Sequence, residues 1–329
     1  MTQSVRVAAV QAAPIWLDAQ AGTDKAIDII DKAAGQGAEL VAFGESWLPG
    51  YPFWIWTRTP SAGVPYFLRY DRNAVTTDGP ELAAIRSAAR RHQIHVALGF
   101  AERAAGSLYC SQALISDQGE LLAVRRKLKP THVERSLWGE GDGSDLLVTQ
   151  TRLGRIGMLN CWEHIQPLSR YALYSMDEQI HIASWPALAV SRVEQGAQSA
   201  RHVCASYALE GQCFVLSATN VLPAELAEEL APAPGALPPG GGAAAVFAPN
   251  TTVLAESSTD VHDEIVVTDC DLSAIRLAKM TADPVGHYAR PDATRLLLDR
   301  TRRTPVVLLE PGTDLSPADE PEPAPETGA

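Results

Sequence analysis

Met158-Leu159-Asn160-Cys161-Trp162-Glu163-His164 closes an apolar run that begins at Leu153 and carries glycines at 154 and 157, the composition of a short buried strand. Downstream, Pro167 suits a first helical turn, and Leu168, Tyr171, Ala172 and Ser175 continue at helical spacing. Cys161 therefore falls at a strand-to-helix turn. A thiol at such a turn lies beside unpaired amide groups and the positive end of a helix dipole, both of which favour thiolate over thiol. A single cysteine at a strand end is nevertheless more often a small buried hydrophobe, so the rest of the chain has to decide its role.

The 329 residues, 46% hydrophobic and 20% charged, supply ample core for one large α/β domain or two ordinary ones. The net charge is -12, and the longest basic group is Arg125-Arg126-Lys127-Leu128-Lys129. Nucleic acid and anionic membranes are poor partners for such a surface, and a small-molecule substrate fits better. Five cysteines at 110, 161, 204, 213 and 270 are scattered without a C-x-x-C, which argues against a disulfide framework or a zinc cage and for a reducing compartment. The start, Met-Thr-Gln-Ser-Val-Arg, runs straight into a strand pattern, and no apolar run approaches the roughly 20 residues of a membrane span. A cytoplasmic location is the expectation.

Taken in order, the chain alternates strand and helix patterns. Strands are expected at 5–10, 39–43, 94–100, 109–115, 121–124, 179–183, 213–217, 245–247, 251–255 and 264–268, with helices over 22–37, 79–92 and 194–210. Asp117-Gln118-Gly119-Glu120 reads as a hairpin-type turn. This alternation predicts a layered α/β sandwich. The strand at 39–43 ends in Gly44-Glu45-Ser46-Trp47-Leu48-Pro49-Gly50-Tyr51-Pro52, so Glu45 stands at the carboxyl end of a buried strand, the edge where open α/β sheets bind ligands. Residues 51–70, with seven aromatics among prolines, read as an irregular apolar loop that lines a pocket or a subunit contact. Trp138-Gly139-Glu140-Gly141-Asp142-Gly143 lacks the G-K-[ST] of a phosphate loop. The Pro- and Ala-rich stretch 223–242 reads as a flexible surface excursion. The acidic, proline-rich tail 311–329 has little to bury and is expected to be disordered, leaving a single domain over 1–310.

Glu45, Lys127 and Cys161 each follow an apolar strand. Their contexts, Gly44–Pro52, Arg126-Lys127-Leu128-Lys129-Pro130-Thr131 and Leu159-Asn160-Cys161-Trp162-Glu163-His164, resemble the three catalytic motifs of the nitrilase superfamily, in the family's order and with similar separations. Gly286-His287-Tyr288-Ala289-Arg290-Pro291-Asp292 also resembles a carboxy-terminal segment of nitrilases proper, so the resemblance spans about residues 4–300. It implies a four-layer αββα sandwich, a Glu45–Lys127–Cys161 triad and an accessory Glu134. The Cys-Trp-Glu-His sequence is more similar to the nitrile-hydrolysing branch than to amidases and carbamoylases, which stay as alternatives. A homo-oligomer, built on a dimer and extending to spirals in microbial relatives, is implied as well, with 51–70 and the helix after Cys161 as candidate contacts.

The residue types suit that chemistry. A nitrile carbon is a poor electrophile, and covalent attack by a soft sulfur divides the hydrolysis into easier steps. Glu45 would serve as general base and acid, a task asking for a carboxylate raised towards neutrality by a partly desolvated pocket. Lys127 would stay cationic and stabilise developing charge, and Glu134 would hold the lysine or assist proton transfer. Neither metal nor cofactor is implied. Tyr51, Trp54, Trp138, Trp162, His164 and Trp185 are candidates to shape the substrate pocket. Two rival readings stay open: a Cys–His hydrolase using His164 or His132, and a binding or assembly protein on the same scaffold.

Overall fold

The computed structural model describes residues 4–188, 196–233 and 235–304. Its first half runs β1 (Ser4–Ala12), α1 (Ala19–Gly35), β2 (Leu40–Ala42), α2 (Trp54–Thr57), α3 (Pro60–Arg72), α4 (Pro80–His92), β3 (His95–Ala104), β4 (Ser107–Ile115) and β5 (Leu121–Arg126). The second half runs β6 (Val148–Thr151), β7 (Gly154–Asn160), α5 (Pro167–Ser175), β8 (Ile180–Trp185), α6 (Gly196–Gly211), β9 (Phe214–Asn220), α7 (Ala224–Leu230), β10 (Ala245–Phe247) and β11 (Val253–Glu256). Strand β12 (Glu264–Asp271) and α8 (Ser273–Thr281) follow.

Strand pairing sorts these elements into two sheets. One has the order β5-β4-β3-β2-β1, with β12 antiparallel on the far side of β1. The other runs β6-β7-β8-β9, continued by β10 and β11. They join where Gln11 and Ala12 of β1 pair with Thr219 and Asn220 of β9. Side chains alternate across each strand. Val5, Val7 and Ala9 of β1 meet Ile156, Ile180 and Leu216 of the other sheet, forming the core between the sheets. Ala8 and Val10 turn the other way, to Ile30 of α1 and Ile85 of α4. On the far side Ala183 and Trp185 of β8 face Leu173 of α5 and Tyr207 of α6. Burial on both strand faces at a period of two thus produces helix, sheet, sheet and helix layers, the expected αββα sandwich.

Three expectations need correction. Residues 51–70 are largely helical: Thr59 caps α3 through the Ala62 amide, with Pro60 in its first turn. The pattern looked irregular because α3 buries only Gly63 and Tyr70, while Val64, Phe67 and Leu68 are exposed. The stretch 223–242 is also not a free excursion. Its Ala-Glu-Leu-Ala-Glu-Glu-Leu run forms α7, Leu230 and Leu237 are buried, and Leu222 pairs with Gly240 in both directions. Finally, α1 begins three residues before Gly22 because Asp18 accepts from the Ala21 amide. The tail 311–329 and Glu194, the expected start of α6, lie outside the described residues.

Candidate active site

Four elements deliver the chemistry-bearing side chains to one end of the sandwich. Glu45 follows β2, Lys127 follows β5, Glu134 lies in a single 3-10 turn over His132–Ser136, and Cys161 begins a 3-10 turn directly after β7. Glu45 is held by its backbone: its amide donates to the Trp185 carbonyl at 3.1 Å, and Asn220 Nδ2 donates to its carbonyl at 2.7 Å. On the other side β3 passes so near that a Cβ on Gly99 would collide with the Gly44 carbonyl and the Ser46 amide. Only glycine permits that approach.

Lys127 Nζ donates to Glu45 Oε1 at 2.7 Å and to Glu134 Oε2 at 2.8 Å, and all three side chains are fully buried. Glu134 is held in turn by the Tyr51 hydroxyl at 2.7 Å and the Thr131 amide at 2.7 Å. Two carboxylates share one ammonium. Burial works against the charge on Lys127, but the two glutamates raise its pKa well above the usual value. Burial pushes the Glu45 carboxyl up to about 7, with Lys127 opposing and Glu134 adding to the rise. Glu45 Oε1 also accepts from Cys110 Sγ at 3.3 Å, whereas its Oε2 has no hydrogen-bond partner among the described residues. Lys129, by contrast, is exposed and pairs with Glu140 at the surface.

Cys161 has φ of 49°, in the left-handed region, a conformation that costs a non-glycine residue on the order of 1–2 kcal/mol. The expected preformed thiolate is not what this setting supplies. Burial pushes the thiol well above its ordinary pKa, Glu45 adds to this, and Lys127 and the Trp162 amide only partly offset it. The resting group is a thiol.

The turn is anchored by a pair that no sequence signal marked. Arg125 donates through both terminal nitrogens to the two oxygens of Glu163, each at 2.7 Å, in the interior. The same carboxylate accepts from the Asn160 amide and the Leu128 amide, both at 2.8 Å. Leu128 follows Lys127 and Asn160 precedes Cys161, so one glutamate ties the two turns together. Arg125 looked like part of a surface basic run. Cys110 was likewise missed, since an isolated cysteine within a strand carries no pattern.

A cavity of about 480 Å³ opens beside Cys161, lined by Glu134, Tyr51, Trp56, Trp162, Leu188 and Leu237 among others. Of the six residues expected to shape it, Tyr51 and Trp162 do so. Trp54, Trp138, His164 and Trp185 are buried in the packing and are not in the lining. Their bulk fills core because their side chains face inward: Trp54 of α2 and Trp138 join the aromatic cluster under α3, and Trp185 of β8 stacks on His164 at 5.1 Å. Both ring nitrogens of His164 are engaged, Nδ1 with the Cys161 carbonyl at 2.6 Å and Nε2 with His181 at 2.9 Å. His132 is exposed and stacks on Trp56.

Residues 6–280 match the model of the carbon-nitrogen hydrolase family. An aliphatic nitrilase of Rhodococcus rhodochrous is 46% identical over 312 residues, covering 93% of this chain and 85% of that one. An arylacetone-specific nitrilase of Alcaligenes faecalis is 45% identical over 308 residues, with 92% and 86% covered. Among solved structures, Saccharomyces cerevisiae Nit3, a member of branch 10 of the nitrilase superfamily, shares the fold with a TM-score of 0.70 at 16% identity, over 87% of this chain and 96% of that one.

Proposed function

The chain belongs to the carbon-nitrogen hydrolase family, and from that premise we propose that it is a nitrilase, converting a nitrile and two waters into a carboxylic acid and ammonia on Cys161. The observation that carries the assignment of roles is the buried Lys127 ammonium shared by Glu45 and Glu134 at 2.7 and 2.8 Å, beside a thiol that cannot ionise unaided.

Glu45, with a pKa raised to about 7, is matched to taking a proton near neutral pH and returning it. It removes the Cys161 proton as sulfur attacks the nitrile carbon, and the proton passes to nitrogen, giving a thioimidate. A water activated by Glu45 adds to that carbon. The tetrahedral species expels ammonia, leaving a thioester, and a second water releases the acid and restores the thiol. Lys127 stabilises the charge that builds during each attack, where poor hydration makes a fixed cation most effective. Glu134 keeps the lysine in place.

The nitrile sits in the cavity lined by Tyr51 and Trp162. The engaged nitrogens of His164 and the exposed position of His132 favour this reading over a Cys–His pair. Ammonia release from aliphatic, aromatic, arylacetonitrile and amide substrates tests it. Cys161→Ala abolishes turnover, and Glu45→Gln and Lys127→Ala are comparably severe. Near-wild-type rates in the last two variants, with a dead histidine variant, would return the Cys–His reading.

The working protein is a cytoplasmic homo-oligomer built on a dimer, with a single catalytic domain over 1–310 and a dispensable tail. Exposed Ile165, Leu168 of α5 and Leu209 of α6 support a contact through that layer, and the five cysteines are free and buried. Light scattering that found only a monomer would sink the oligomer, and a large loss of melting temperature on deleting residues 314–329 would show the tail to be docked.

A further inference from the structure

Behind the nucleophile runs a chain of buried polar groups that the reaction does not use. The Tyr207 hydroxyl of α6 donates to Glu178 Oε2 at 2.6 Å. Glu178 Oε1 meets His181 Nδ1 at 2.7 Å, His181 Nε2 meets His164 Nε2 at 2.9 Å, and His164 Nδ1 reaches the Cys161 carbonyl at 2.6 Å. All four side chains are fully buried, and Gly157 makes room: a Cβ there would strike the Glu178 carboxyl.

The end of the chain dictates its proton order. A carbonyl oxygen only accepts, so His164 Nδ1 carries hydrogen. A neutral His164 then accepts at Nε2 from His181 Nε2–H, which leaves His181 Nδ1 as an acceptor, and the donor facing it is Glu178 in its protonated form. The electrostatics agree. Burial raises Glu178 to about 8 against the pull of Tyr207 and the Gly157 amide, and burial holds both imidazoles well below their ordinary range. The other ionisable groups facing the chain are the Arg125–Glu163 pair beside the imidazoles and Tyr174 and Cys213 beside Tyr207.

The carbonyl that accepts from His164 belongs to the peptide whose N–H is that of Trp162, and this N–H lies against Cys161 Sγ. A peptide is planar with C=O and N–H opposed, so holding one aims the other, and a hydrogen bond to the oxygen strengthens the amide as a donor. We propose that Tyr207, Glu178, His181 and His164 form a positioning chain for the nitrilase reaction, which locks the Cys161–Trp162 peptide so that the Trp162 amide faces the reacting sulfur. This rests on Cys161 being the nucleophile.

Deprotonating Glu178 reverses the chain. His181 Nδ1 must then donate to the carboxylate, His181 Nε2 accepts from His164, and His164 Nδ1 turns a lone pair on the Cys161 carbonyl. The lock opens as pH rises through about 8.

The test uses the full chain with one nitrile at saturating and limiting concentration, across about pH 6 to 9. His181→Phe and Glu178→Leu lower kcat at least about tenfold with KM within about twofold, the mark of misaligned chemistry rather than lost binding. Glu178→Gln, which keeps an N–H facing His181, restores kcat to within about threefold near neutral pH and lacks the wild-type decline above about pH 8. Folded His181→Phe with wild-type kcat overturns the proposal, as do superimposable alkaline limbs in wild type and Glu178→Gln. That second comparison decides the matter if the apolar variants fail to fold. Turnover by Cys161→Ala would instead remove the nucleophile assignment beneath it, whereas an inactive Cys161→Ala beside an unimpaired His181→Phe sinks the positioning chain alone.

Discussion

Arg125 and Glu163 form a two-pronged ion pair, 2.7 Å on each arm, with neither side chain appreciably exposed. It joins the strand that leads into Lys127 to the turn that begins at Cys161. Removing one partner leaves a buried charge uncompensated, at a cost of about 3–5 kcal/mol. Arg125→Leu or Glu163→Leu is therefore expected to lower the urea midpoint sharply, and the double variant to lose less than the two singles combined. Additive losses would mean that the two charges are not coupled.

The rate should follow the protonation of Glu45. With its pKa at about 7, the carboxylate form needed to accept the thiol proton is depleted below that value, so kcat/KM rises with pH through it. Cys110 donates to Glu45 Oε1 and so favours the ionised form. Cys110→Ala should move this acidic limb upward by roughly half to one unit, the equivalent of one modest hydrogen bond. An unmoved or lowered limb would contradict the contact.

Tyr51 links the cavity wall to the lysine's second carboxylate. Its hydroxyl donates to Glu134 Oε1 at 2.7 Å and accepts from Trp56 Nε1 at 2.9 Å. Tyr51→Phe keeps the ring and removes both bonds, at about 1–3 kcal/mol of stability, and kcat should fall as Glu134 loosens its hold on Lys127. Unchanged melting and unchanged kcat would show the hydroxyl to be idle.

Leu237 roofs the cavity from the segment after α7 and is itself buried. Leu237→Ala enlarges the space next to Cys161 at a cost of about 2–5 kcal/mol if the site does not collapse. Relative kcat/KM should then shift towards bulkier nitriles. A uniform loss across a size series would place Leu237 in the fold rather than in selection.

Much of this protein was legible one residue at a time. Most strand positions, though not β6 (Val148–Thr151), the hairpin at 117–120 and the placing of Glu45, Lys127 and Cys161 at strand ends follow from local periodicity and from Gly and Pro punctuation, because backbone geometry imposes those patterns on neighbouring residues. Where the signal depended on distant partners it failed. Helix α3 buries too narrow a face to show a period, and 223–242 looked loose until Leu230 and Leu237 found their neighbours.

The sequence by itself determined the alternating layers and the places of Glu45, Lys127 and Cys161 at strand ends, since each is set by its own strand and turn. Only the tertiary structure decided what those residues can do. Whether Arg125, Lys127 or Glu178 is a solvated charge or a buried one depends on which side chains from other strands surround it. Desolvation and pairing across the fold hold the Cys161 thiol protonated, raise Glu45 to about 7, and occupy both nitrogens of His164. Those are properties of a packed interior, built from contacts between residues as far apart in the chain as Glu45 and Lys127.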